Sequence, residues 1–149
     1  MSLQRHLVVG LVGLVGLTGL SLVIASCGGD EPATDTAVGI SGLSTISAAD
    51  AAAIADAPPA DLVVLDVRTP EEFAEGHLEG AVLVDFYDAD FADQLAALDP
   101  DVPYLLYCRS GNRSGQALGV MEQLGFTSVA NLDGGIVAWS GAGLPVAGG

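Results

Sequence analysis

The sequence predicts one α/β domain built on a mostly parallel central sheet with helices on both faces. Three observations carry this reading. Short apolar runs alternate with helix-like segments along the second two-thirds of the chain, the pattern of an α/β domain. The runs lack the polar alternation of half-exposed strands, as expected when both faces of a parallel sheet are covered. Helix start and stop residues fall between the runs where the chain must turn.

Taken in order, Ser47 is placed to cap an alanine-rich helix through Ala57, stopped by Pro58 and Pro59. Leu62 to Leu65 is a short run, β-branched in its middle, and reads as a buried strand. Thr69-Pro70-Glu71-Glu72 is a helix start, with Thr as cap, Pro at the first position and Glu three residues after the cap. Gly76 stops that helix, and Ala81 to Val84 is a second strand. Asp88 to Leu98 reads as a helix with Phe91, Leu95 and Leu98 on one face. Pro103 to Tyr107 leads into a third strand, and Ser114 to Leu124 is a helix closed by Gly125. Ser128 to Leu132 is a fourth strand, followed by a short helix from Ile136 to Ser140. A core of about 105 residues is ample for independent folding.

The chain has 149 residues, half of them apolar, and a net charge of −15. It has no lysine; its four cations are Arg5, Arg68, Arg109 and Arg113. So acidic a chain is a poor nucleic-acid binder, because that binding rests on neutralising phosphates with Lys and Arg. Two cysteines exclude a disulfide scaffold. No metal-ligand cluster or nucleotide-binding loop appears, so no metal and no cofactor is expected.

Residues 1–26 read as an export leader: Arg5 and His6 near the start, then a run from Leu7 to Ser26 free of charge. Ile24-Ala25-Ser26-Cys27 resembles the lipobox of bacterial lipoproteins. That resemblance implies that Cys27 becomes the lipidated first residue of the mature protein, anchored outside the cytoplasm to the bacterial cell membrane. The alternative is an uncleaved transmembrane helix, since the run is long enough to span a bilayer. Residues 27–43 are Gly-, Thr- and acid-rich and read as a flexible tether to a domain at 44–149. Without the leader, three arginines face 19 acids, a side-chain sum of −16.

The segment that carries chemistry is Tyr104-Leu105-Leu106-Tyr107-Cys108-Arg109-Ser110-Gly111-Asn112-Arg113-Ser114. A strand ends in a cysteine, a short loop follows and a helix begins. Backbone N–H groups of such a loop, with those of the helix start, converge on one point and make an anion cradle. The same field favours the thiolate of a cysteine at its rim. Gly111 permits the tight turn, and Arg109 and Arg113 add charge.

The stretch from Cys108 to Ser114, CRSGNRS, resembles the active-site loop of rhodanese-family sulfurtransferases. Further segments match that family in order: Leu65-Asp66-Val67-Arg68, Glu71-Glu72-Phe73, Gly76-His77-Leu78-Glu79-Gly80-Ala81, then Gly134-Gly135, Trp139 and Gly143-Leu144-Pro145-Val146. The resemblance covers roughly Ser44 to Val146. It implies a rhodanese-like fold and a persulfide mechanism. The Cys108 thiolate takes the outer sulfur of a donor such as thiosulfate, and an acceptor thiol or cyanide then removes it. Arg109, Ser110, Gly111, Asn112 and Arg113 would hold the anion. Phosphatases of the same broad fold have five residues between cysteine and arginine. Here four separate Cys108 from Arg113, a smaller cradle that suits sulfur better than phosphate.

Each residue also has a plainer reading. A free cysteine is often a small buried hydrophobe. Arg113 is as well placed to anchor the loop on a carboxylate as to touch substrate, and Arg109 to be a solvated surface charge. Arg68 is expected to pair with an acid such as Glu71 or Glu72. Asp66 and His77 are expected to support the structure, and Trp139 to sit in the core. Two functions stay open: an exported sulfurtransferase, and a catalytically idle rhodanese-like module that binds a partner or senses oxidants.

Overall fold

The computed structural model describes residues 39–149. The leader, Cys27 and most of the expected tether lie outside the described residues. Five strands form one sheet: β1 (Gly42–Ile46), β2 (Val63–Asp66), β3 (Val82–Leu83), β4 (Tyr104–Tyr107) and β5 (Ser128–Leu132). Their order is β1-β5-β4-β2-β3, and every pair is parallel. Four helices connect them, α1 (Ala48–Asp56), α2 (Pro70–Ala74), α3 (Phe91–Ala96) and α4 (Asn112–Gln123), and α5 (Gly135–Gly141) follows β5.

Side-chain alternation along a strand divides the core into two layers. On β4, Tyr104 and Leu106 join Phe91, Leu95, Ala117 and Met121 beneath α3 and α4. Leu105 and Tyr107 point the other way, toward Ala51 and Ile54 of α1 and Trp139 of α5. All four β4 residues are buried, which is why the sequence reads as an unbroken apolar run. The predicted helix caps are present: Ser47 Oγ accepts the Asp50 N–H, and Thr69 and Glu72 form a reciprocal capping box. Trp139 is buried and donates its indole N–H to the Pro145 carbonyl at 2.8 Å.

Three details differ from the sequence reading. A strand, β1, runs from Gly42 to Ile46 where no strand was expected. It is an edge strand with no fully buried residue, so it has no apolar signature. α3 is shorter than the expected Asp88–Leu98 and has no side-chain cap. α4 starts at Asn112 rather than Ser114, because Gly111 is its N-cap in a left-handed conformation (φ 89°).

The topology fixes where a ligand can bind. Chain leaving β2 runs to β3 on one side, and chain leaving β4 runs to β5 on the other. A crevice opens at the carboxyl ends of such neighbouring strands. Asp66 and Arg68 stand at the end of β2, and Cys108 stands at the end of β4.

Asp66 and Arg68 are nearly completely buried, at 0% and 4% exposure. Arg68 Nε donates to both Asp66 carboxylate oxygens at 2.9 Å, and Nη2 donates to Asp66 Oδ2 at 2.6 Å and to the Gly76 carbonyl at 2.7 Å. Removing one partner of a buried ion pair strands the other charge. Asp66→Ala is therefore expected to lower unfolding free energy in urea by about 3–5 kcal/mol. A loss below about 1 kcal/mol would show that Arg68 finds another counter-charge.

Candidate active site

Cys108 is 1% exposed. Burial alone raises a thiol pKa, since it disfavours the charged form. Here burial is outweighed by hydrogen bonds from the Ser114 hydroxyl and from the backbone N–H groups of Ser114, Ser110 and Gly111, and the net shift is downward. The Gly111 N–H lies 3.1 Å from Sγ and the Ser114 hydroxyl 3.4 Å. The donors come from the loop and from the first turn of α4, where N–H groups have no intrahelical partner. The result is a preformed cradle for a thiolate, or for the charge on a sulfur bound to it.

The loop is held from two sides. Beneath it, α5 donates from Ile136 N–H to the Cys108 carbonyl at 2.9 Å and from Val137 N–H to the Arg109 carbonyl at 3.1 Å. A side chain at Gly135 would put its Cβ 2.3 Å from the Cys108 carbonyl oxygen, so only glycine lets α5 approach this closely. From the flank, Arg113 grips Glu72 with two parallel bonds of 2.7 Å each. The Arg113 guanidinium also lies 5.6 Å from the centre of the exposed Tyr87 ring. The Arg113 bonds are the main cause that holds the Glu72 carboxyl at a pKa of about 2, below its usual 4.5.

These contacts settle what several residues do in this structure. Arg113 anchors the loop, tying the α4 start to the capped start of α2. Arg68 does not pair with Glu71 or Glu72 as expected: Asp66, two residues away, takes its guanidinium, and Glu72 is taken by Arg113. His77 bonds the Phe73 carbonyl through Nδ1 at 3.0 Å, stacks on the Phe73 ring and pairs its backbone with Ala147. It supports the chain end and does not reach the loop. Arg109 and Ser110 are exposed, and Arg109 makes no ion pair among the described residues. Asn112 accepts from Gln116 Nε2 through Oδ1 at 3.0 Å. Asp66 supports the end of β2.

Sequence reasoning missed two working residues. Ser114 is wholly buried and donates to Sγ; its place at the start of a predicted helix right after the loop was the available signal. Glu72 was read as a cap residue and as a candidate partner of Arg68, and nothing local marks its pairing with Arg113, 41 residues away. Among the described residues, no group of His, Cys, Asp and Glu could hold a metal ion.

A buried, hydrogen-bonded thiol at a helix start, at the switch point of a parallel sheet, defines a class of cysteine-dependent domains that handle sulfur or oxyanions. The rhodanese-like domain family matches residues 47–142, and the chain belongs to that family. A protein named Sulfurtransferase from Allochromatium vinosum is 37% identical over 86 residues, covering 58% of this chain and 78% of that protein. The Thiosulfate sulfurtransferase GlpE of Pseudomonas aeruginosa is 41% identical over 76 residues, covering 51% of this chain and 67% of its own. The crystal structure of a rhodanese-related protein from Thermoplasma volcanium superposes with a TM-score of 0.60 at 31% identity, covering 69% of this chain and 96% of that one.

The Ser114 bond gives a direct test of the cradle. Ser114→Ala removes a donor that favours the thiolate, so the thiol pKa should rise. The pH profile of alkylation by iodoacetamide should shift to higher pH, with slower reaction near neutrality and the same plateau in strong base. An unshifted profile would mean that the backbone donors alone set the thiolate.

Proposed function

We propose that this protein is a sulfurtransferase that moves a sulfane sulfur from a donor such as thiosulfate to a thiol or cyanide through a persulfide on Cys108. The observation that carries the reading is the convergence of N–H and hydroxyl donors on Cys108 Sγ. The names of the relatives in Allochromatium and Pseudomonas support it.

In the first half-reaction the Cys108 thiolate attacks the outer sulfur of thiosulfate. A Sγ–S bond forms, the S–S bond of the donor breaks and sulfite leaves with the electron pair. The negative charge now sits on the outer sulfur of the persulfide, within reach of the same cradle. In the second half-reaction an acceptor thiolate attacks that outer sulfur. The Sγ–S bond breaks, the acceptor departs as a persulfide and Cys108 returns to thiolate. No outside oxidant or reductant is required. Cys108 is the only free thiol among the described residues, so the sulfur is discharged to an external acceptor.

The anchor belongs to the same proposal. The charge-free leader ending in Ile24-Ala25-Ser26-Cys27 supports export and lipidation at Cys27, with the domain held at the outer side of the cell membrane. Mass spectrometry of the mature amino terminus should find a lipidated Cys27. An intact Met1 in the membrane fraction would instead favour an uncleaved anchor.

Incubation with thiosulfate should add about 32 Da to the peptide that holds Cys108, by the logic of a cradled nucleophile, with release of sulfite. Cys108→Ser should abolish both the adduct and turnover. Wild-type protein that alkylates readily but never gains sulfur would mark an idle module instead.

A further inference from the structure

A cavity of about 510 Å³ has no residue of the cysteine loop in its lining. It is walled by α1, by Trp139 of α5 and by residues 144–147. Its floor is the core layer that holds Leu78, Leu105 and Trp139, whereas Cys108 belongs to the opposite layer. The space is left open because α1 presents alanine to it. Ala52 and Ala55, on one face of the helix, put only methyl groups there. The volume falls within the range of about 300–1,000 Å³ that takes a small organic ligand.

The polar side chains of the lining have one sign. Trp139 has its indole N–H taken by the Pro145 carbonyl. Apart from it and the carboxylates of Asp56 and Glu79, every lining residue is apolar. Both acids are exposed, and neither makes an ion pair among the described residues. Asp56 is also the last residue of α1, where the helix carbonyls add partial negative charge and no basic residue stands in the last turn. An anionic group in this cavity would meet no free side-chain donor. A cation would meet a carboxylate whichever acid it reached, and the net charge of −15 draws it in at long range.

We propose that this cavity binds a small hydrophobic cation, its apolar body against Leu105 and Trp139 and its ammonium toward the exposed acids. Binding is reversible and forms no bond to the protein. The site is separate from the chemistry of Cys108 and stands whether or not sulfur is transferred there.

Trp139 is the only tryptophan of the chain, so its emission reports this cavity in the full-length protein. Three probes of one shape are titrated at neutral pH, with excitation beyond their own absorption: phenylbutylamine (cationic), phenylbutanol (neutral) and phenylbutyrate (anionic). The amine should saturate the emission change at a concentration about three- to fivefold lower than the alcohol, the worth of a partly exposed ion pair. The carboxylate should bind weakest. Asp56→Asn combined with Glu79→Gln should bring the amine to the alcohol's half-saturation and leave the alcohol's unchanged. Ala55→Leu, which fills the space, should raise half-saturation for all three about tenfold or more. All three altered side chains are exposed, and an unchanged rate of Cys108 alkylation marks each variant as folded. Emission that never saturates with the amine, half-saturation that ignores charge, or titrations unmoved by Ala55→Leu would overturn the proposal. So would emission that changes on dilution of the protein alone, which would give the cavity to a second copy of the chain.

Discussion

A thiol placed at the carboxyl end of a fully buried strand is held as thiolate only if donors reach it there, because burial works against its charge. In this domain they do reach it: Gly111 N–H and the Ser114 hydroxyl close on Cys108 Sγ from within one loop and one helix turn. Much else near the site serves to keep that loop in shape. The contact of α5 fixes the Cys108 and Arg109 carbonyls from beneath. The Arg113–Glu72 pair fixes the start of α4 against the start of α2. Because Glu72 also completes the α2 capping box, one carboxylate organises two helix starts. Its low pKa, about 2, means that it stays charged at any ordinary pH. The stabilisation it gives is complete above about pH 4.5 and is lost only as pH falls toward 2.

The sheet supplies the frame for this arrangement. Parallel pairing of β2 with β4 and of β4 with β5 sets their carboxyl ends side by side, with the outgoing chain diverging above them. The buried Asp66–Arg68 pair closes the end of β2, and Tyr107 ties β4 to the segment between α2 and β3 by accepting the Leu78 N–H at 3.1 Å. Positive charge is used sparingly. Two of the three arginines in the domain are neutralised by carboxylates, so the cradle itself relies on backbone dipoles and a hydroxyl more than on formal charge. A neutral cradle of this kind stabilises a small anion locally inside a strongly acidic protein.

Much of this was legible in the sequence. The strands that became the inner sheet, β2, β4 and β5, are short apolar runs, and the capping box at Thr69 was visible residue by residue. The cysteine loop was legible too, since its chemistry is local: a strand end, a glycine turn and a helix start within seven residues, Cys108 to Ser114. What was not legible is tertiary or edge structure. β1 exposes most of its residues and leaves no apolar trace. The left-handed Gly111 cap carries no Ser, Thr or Asp signature, so the helix start was placed two residues late. The partners of Arg68 and Arg113 are settled by how β2, α2 and α4 meet, and sequence proximity to Glu71 and Glu72 pointed Arg68 to the wrong acid.

In the proposed reaction the cradle makes Cys108 a thiolate ready to accept sulfur. Single-turnover release of sulfite from thiosulfate, measured across pH on the wild-type protein, tests it most directly. The rate should rise with the thiolate and have its midpoint below the ordinary thiol pKa, in agreement with the midpoint for alkylation of Cys108. A midpoint at or above the ordinary thiol value, or one that parts from the alkylation midpoint, would contradict it.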